Sequence, residues 1–239
     1  MRLLLSCTLL ACVDCLRPAS PVALLRRRSI FMPLLAAGMV AAPTPSASSA
    51  SLVREGMAAF AANRVSESID LYDKVIAAQP ASKPYLWQRG LALYYADRFA
   101  DGAEQFEADV AVNPNDTEEQ IWHLLCLAQI EKGGLATARR SRLTVGKDRR
   151  PVMRAVQQLF LSGEEVDERA LADLAREADP TSQFYASLYL SLYYESLGNA
   201  ALAERLMRQA VASAYAQGGG RSDPMVDVAN VAMKRRGWQ

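Results

Sequence analysis

PYLWQRGLALYYADRFADGAEQFEADVAVNPND, residues 84–116, gathers aromatic rings, two glycines and a row of carboxylates into one stretch. Those groups either converge on a reaction or repeat a structural unit, and four spacings decide for repetition. Gly90 lies 34 residues after Gly56, Phe106 34 after Tyr72, Pro114 34 after Pro80, and Asp97 34 after Asn63. The glycines let paired helices approach closely, because no Cβ stands between them. Tyr72 and Phe106 have the size to fill the gap between the helices. Pro80 and Pro114 cannot continue a helix and so close each unit. Asn63 and Asp97 mark the turn inside it.

A later stretch, Phe184 to Val211, follows the same plan. Ser191 takes the small-residue place, Gly198 follows seven residues on as Asn63 follows Gly56, and Ala203 and Ala210 are the small positions of the second helix. Weaker units lie between. Residues 117–132 read as a helix with Asp116 or Thr117 as N-cap and Glu119 or Gln120 near its third position. Leu135–Val145 reads as its partner. Pro151–Ser162 opens on a proline at a first-turn position, and Glu168–Glu177 follows. Gly218-Gly219-Gly220 breaks the chain before a last helix at about Pro224–Arg235. No segment alternates as a strand would. The expected fold is all-α: about eleven helices stacked as a short right-handed α-solenoid over residues 51–239, each unit burying its face on its neighbour.

A 34-residue helix–turn–helix period is the tetratricopeptide signature. On PYLWQRGLALYY (84–95), DVAVNPNDTEEQIW (109–122), RRPVMRAV (149–156) and FYASLYLSLYYESLG (184–198), the body resembles a plant and algal family of plastid tetratricopeptide proteins. It is similar, more distantly, to the NlpI-type tetratricopeptide lipoproteins of bacteria. The resemblance implies a helical scaffold with no catalysis of its own; NlpI-type members act as adaptors that present clients to proteases or wall hydrolases. Chaperone-binding tetratricopeptide domains grip a C-terminal carboxylate with Lys, Asn and Arg. In register with Gly56 the equivalent positions here are Val53 and Met57, and with Gly90 they are Trp87 and Leu91. That apolar set cannot hold a carboxylate by charge.

The first 50 residues are a different kind of polypeptide. Residues 1–53 hold five arginines, no lysine and a single acid, Asp14, which leaves 22 basic against 25 acidic residues in the body. The overall charge of +1 gives no general pull toward nucleic acid or acidic membranes. MRLLLSCTLLAC has a charged start and a short apolar run, as a signal peptide would. LRPASPVALLRRRS is Arg- and Ser-containing without acid, as transit segments are. Arg27-Arg28-Ser29-Ile30-Phe31 resembles a twin-arginine export signal. The apolar run behind it, Ile30–Ala42, is shorter than the roughly 20 residues a spanning helix takes. Leu9-Leu10-Ala11-Cys12 approximates a lipobox, which would leave that second apolar run unexplained. Pro43–Ala50 reads as a polar linker. The expectation is a targeting leader over 1–50, delivering the body to a plastid, with the thylakoid lumen as the internal signal's address; a secreted or bacterial-envelope address is the alternative, and a plain disordered N-terminus the bland one. Cys7, Cys12 and Cys15 belong to this leader, and Cys126 alone remains in the body, which therefore has no internal disulfide to rely on.

Catalytic constellations are sparse. His123 is the single histidine, and no nucleophile or metal partner is spaced to meet it. Gly218–Ser222 lacks the ending of a phosphate-binding loop, and no cofactor is implied. Two surfaces are candidates instead. Phe60, Trp87, Leu91 and Tyr94 would line a groove for an apolar or helical segment, or else pack on the adjacent unit. Arg139, Arg140, Arg142, Arg149 and Arg150 form a basic patch with Lys147 and Arg154, either gripping an acidic partner or standing as a solvated face. Without interleaved aromatics it is a poor platform for RNA. Tyr185, Tyr189, Tyr193 and Tyr194 read as packing between units. The expected function is a non-enzymatic scaffold for other proteins, without a stable membrane span in its mature form; the sequence does not set its oligomeric state and leaves a homodimer open. The alternative is an exported envelope adaptor for a protease or wall hydrolase, and the outlying reading an enzyme built on His123. N-terminal sequencing of the protein from its native cell is expected to begin between about Ala42 and Arg54; an intact Met1 would remove the leader from the account.

Overall fold

Three residues in the left-handed backbone region set the angle at which helices double back. Asn63 has φ +60°, Asp97 φ +58° and Gly198 φ +77°. Asn and Asp are the side-chain-bearing residues that tolerate this region best. Each turn is tied in the same way, by an N–H donating five residues back: Arg64 to Ala59 O at 2.8 Å, Arg98 to Leu93 O at 2.9 Å, and Asn199 to Tyr194 O at 2.9 Å. That bond satisfies a carbonyl the helix end would otherwise leave open. The computed structural model describes residues 47–238; the cysteines, arginines and apolar runs of the expected leader lie outside them. The described residues belong to one compact unit, and it contains helices without a strand among them.

The first hairpin is α1 (Ala47–Ala61) and α2 (Val65–Ala78). The second is α3 (Trp87–Tyr95) and α4 (Phe99–Val112), entered through a 3-10 turn at Pro80–Tyr85. The glycine contact is realised in both. A Cβ on Gly56 would stand 2.8 Å from Tyr72 Cζ, and one on Gly90 2.5 Å from Phe106 Cζ. One turn further along the crossing, Ser68 Oγ donates to Gly56 O at 2.8 Å. The later hairpin, α9 (Pro180–Ser196) with α10 (Ala200–Ala212), makes that bond from the opposite helix: Ser191 Oγ donates to Ala203 O at 2.6 Å. In all three pairs, therefore, small residues meet at the crossing.

Between them lie α5 (Thr117–Ile130), α6 (Gly134–Ala138), α7 (Pro151–Ser162) and α8 (Glu165–Glu177). Asp116 caps α5, its Oδ1 accepting from Glu118 N at 3.0 Å. α5 and α9 are buried nearly all round over Thr117–Leu125 and Phe184–Tyr193, as helices enclosed by others must be. Three expectations need correction. The helix read at Leu135–Val145 ends at Ala138, with a 3-10 turn at Arg139–Ser141, and 142–150 runs on without helix. Its Thr144-Val145-Gly146 sequence is poor in helix formers, and its backbone bonds elsewhere: Leu143 O accepts from Gln120 Nε2, and Gly146 N donates to Pro114 O at 3.0 Å. α8 starts at Glu165, three residues early. The linker read at 43–50 gives way to α1 at Ala47, where Ser49 is already buried.

α12 (Pro224–Arg235) follows the short α11 (Ala214–Gln217) and closes the unit: it packs on α10, α1 and α3. Burial of each repeat on its neighbour alone does not describe this arrangement. α12 is held at both ends. Its N-cap Asp223 accepts from Met225 N at 2.9 Å, and its Oδ2 accepts from Tyr185 Oη at 2.8 Å and Tyr215 Oη at 2.9 Å. Just past its C-terminus, Arg236 Nε donates to Glu195, Nη1 reaches Asp97 Oδ1 at 3.5 Å, and the guanidinium lies 5.8 and 5.6 Å from the ring centroids of Tyr94 and Tyr95. One apolar cluster consequently runs from Phe60 to Trp238, with Tyr72, Val75 and Leu86 as a small satellite.

Gly90→Ala is expected to destabilise the fold by about 1–3 kcal/mol, the cost of overpacking a tight contact, read as a lower urea midpoint. Ser191→Ala should cost less, about 1 kcal/mol for one net hydrogen bond.

Candidate functional site

Of the four groove residues, Phe60, Trp87 and Leu91 line one small crevice with Met57 of α1 and Pro224 and Asp227 of α12, and Tyr94 is not part of it. Phe60, Leu91 and Tyr94 are buried in the core, and α12 packs over the helices that carry them. Tyr94 meets Tyr95, Phe99 and Trp122 edge-on at 5.2, 5.4 and 5.2 Å between centroids. Trp87 is half-buried and keeps some access. The basic residues also divide. Arg140, Arg142 and Arg149 are exposed. Arg139 is half-buried, and its Nε donates to Phe160 O at 2.8 Å. Arg150 is spent on two carboxylates, Glu118 at 2.7 Å and Asp148 at 2.8 Å, with its guanidinium 5.5 Å from the Tyr185 ring centroid.

What the helices bring together instead is a cavity of about 310 Å³. α3 supplies Trp87 and Leu91, α4 Phe106, and α12 Met225; α5 and its cap supply Asp116, Glu118, Glu119 and Trp122, and Arg150 comes from the segment ahead of α7. The walls are therefore aromatic and apolar, with three carboxyl groups and one guanidinium among them. Glu119 is 4% exposed and Asp109, on α4, is 3% exposed. Their carboxyl groups face one another within hydrogen-bonding reach, and burial together with the neighbouring negative charge raises the affinity of the pair for a proton. Two carboxylates this close and this dry cannot both ionise cheaply, so one proton is shared between them. Asp109 Oδ2, Glu119 Oε2, Thr117 Oγ1 and Trp122 Nε1 are buried without another protein hydrogen-bond partner.

His123 lies on α5, buried, its Nδ1 unpaired, and burial lowers its proton affinity so that it stands neutral at pH 7. Cys126 packs beside Gly102, and burial pushes its thiol well up. Neither lines the cavity. Among the described residues no group of His, Cys, Asp and Glu is arranged to hold a metal ion, and no helix is long and apolar enough to cross a membrane. The Asp109–Glu119 pair had no place in the sequence reading. The signal available was weak: a Glu three residues into a helix whose following residues, Ile121 to Ala128, are nearly all apolar, and an Asp ten residues back across a turn. No protein-family model matches the chain, and no curated protein sequence matches it.

The proton on this pair links stability to pH. Carboxyls with raised folded-state pKa bind more protons folded than unfolded, so the pair's contribution to stability is fully present below the ordinary Glu value of 4.5 and is lost as pH rises above it. Glu119→Gln puts a neutral donor where the shared proton was. Its urea midpoint is expected to fall less than that of wild type between about pH 5 and about pH 8, and to exceed it at the upper end. Parallel curves would mean that the pair does not share a proton.

Proposed function

We propose that this chain is a tetratricopeptide-like scaffold: hairpins stacked in a right-handed α-solenoid, closed by α12, that holds other proteins and performs no reaction of its own. The observation that carries this reading is the recurrence of one packing device at a 34-residue interval, Gly56 under Tyr72 and Gly90 under Phe106, each followed by a left-handed turn residue. Helical repeats of this kind create extended surfaces suited to binding. Partners of this scaffold dock at its exposed rim, where Trp87 keeps access and Arg140, Arg142 and Arg149 project into solvent. Its compartment is a plastid, with the thylakoid lumen as the address; that part of the reading rests on the arginine-rich and apolar segments of residues 1–50 alone.

Proximity labelling of the tagged full chain in its native cell tests this. A reproducible set of proteins is expected, lost with Trp87→Ala or with Arg140, Arg142 and Arg149 replaced by Ser at unchanged protein level. An identical set with both variants, or labelling no different from a free tag, would contradict the rim as a docking surface.

A further inference from the structure

We infer that the cavity between α3, α5 and α12 is a binding site for an organic cation, an alkylammonium or alkylguanidinium group carried on an apolar stem. Three features of its lining point there. Its charge is unbalanced: Asp116, Glu118 and Glu119 line it with a single guanidinium, and that of Arg150 is shared between Glu118 and Asp148. Asp116 has its partners, taking the Glu118 N–H on Oδ1 and Asn113 Nδ2 on Oδ2 at 3.3 Å. Glu119 has no counter-ion; its Oε2 is buried and meets only what the acid pair itself provides. The remaining wall is Trp87, Leu91, Phe106, Trp122 and Met225, apolar surface for a stem and indole faces for a cation. About 310 Å³ is at the small end of the range that holds ligands, enough for one such group.

In the ligand-free protein, the proton shared with Asp109 neutralises Glu119. A cation takes over that neutralising role, so it binds Glu119 as the carboxylate and the proton leaves to solvent. The charged groups around Glu119 are Asp109 from α4 and Asp116 and Glu118 from α5 and its cap; Arg150 ahead of α7 pairs with Glu118, and Asp223 at the N-cap of α12 adds negative charge near Glu118, while α3 and α12 themselves contribute uncharged lining residues. Since ionised Glu119 is the binding form, affinity rises with pH. Trp122 Nε1–H, buried and unpartnered, adds a donor for an acceptor atom near the cationic head.

The same chemistry is presented by a free amine and by a Lys or Arg side chain, so the test has two arms. Full-length protein is titrated with n-butylguanidinium or n-butylammonium, with 1-pentanol as the neutral control, and separately with acetyl-Gly-Arg-Gly-amide. Tryptophan emission reports the site, since Trp87 and Trp122 are two of the three tryptophans. The expected result is saturable binding of a cation, near or below about 1 mM, with no saturation by pentanol. Glu119→Gln weakens it at least about tenfold while leaving the far-ultraviolet circular dichroism unchanged. Wild-type binding releases protons, seen as a dependence of calorimetric heat on buffer ionisation. Tighter binding of the free amine assigns a small-molecule ligand, and tighter binding of the peptide a partner's basic side chain; both support the site. Trp87→Leu, at the half-buried wall, is a second probe that keeps the test open if Glu119→Gln misfolds, and it too should weaken binding. Absence of saturable cation binding in both arms, equal response to pentanol, or wild-type affinity in both variants overturns the inference.

Discussion

An aromatic ring resting on bare backbone is the contact from which the rest of this molecule follows. Phe106 occupies the space a Cβ on Gly90 would need, and Tyr72 does the same at Gly56. Because the rings are that close, the two helices of the hairpin approach until small residues meet backbone, as in the Ser68–Gly56 bond of the first hairpin and the contact of Gly102 with Gly90 O in the second. The approach fixes the crossing, and the left-handed residue at the turn makes it reachable over a few residues of chain. Phe106 then has a second role: its far side stacks on Trp122 at 6.4 Å and 21°. The same ring therefore sets the hairpin and places α5 beside it, where the cavity forms.

The acidic character of the cavity is a consequence of that placement. α5 is enclosed by helices, so even its polar positions lie inside. Gln120 copes by bonding Leu143 O and accepting from Gln157 at 3.0 Å, which fastens the 142–150 segment to the helix. Glu118 copes through Arg150. Glu119 has only Asp109, itself buried, and a buried carboxylate without a cation is costly enough to keep a proton instead. Three consecutive polar side chains thus meet burial in three ways, by amide bonding, by an ion pair and by proton retention.

The hairpins were legible in the sequence because their determinants are local and periodic: a glycine, an aromatic sixteen residues on, a turn residue between. α12 was legible as a helix from the glycine break ahead of it, with its observed ends at Pro224 and Arg235. Its destination was not, since an amphipathic pattern declares that a face will be buried and is silent on the partner. Phe60, Leu91 and Tyr94 therefore read equally as groove lining or as packing; the structure buries all three, with Phe60 and Leu91 also bordering a crevice beside Trp87. The early end of α6 was missed because side-chain pattern continued past the point where backbone carbonyls found Gln120 and Gln157 instead. The acid pair was invisible for a related reason: which of many carboxylates face each other depends on a crossing angle, not on spacing along the chain.

The contact of α12 with α1 joins segments from opposite ends of the described chain. An array whose members touch only their neighbours can fray from either end, its units melting in partial independence. Here α12 lies against both the first hairpin and α10, so loosening either one strips contacts from α12. Such closure favours a single cooperative melting transition over stepwise loss, and it asks the folding chain to find a distant contact late, after the local hairpins have formed.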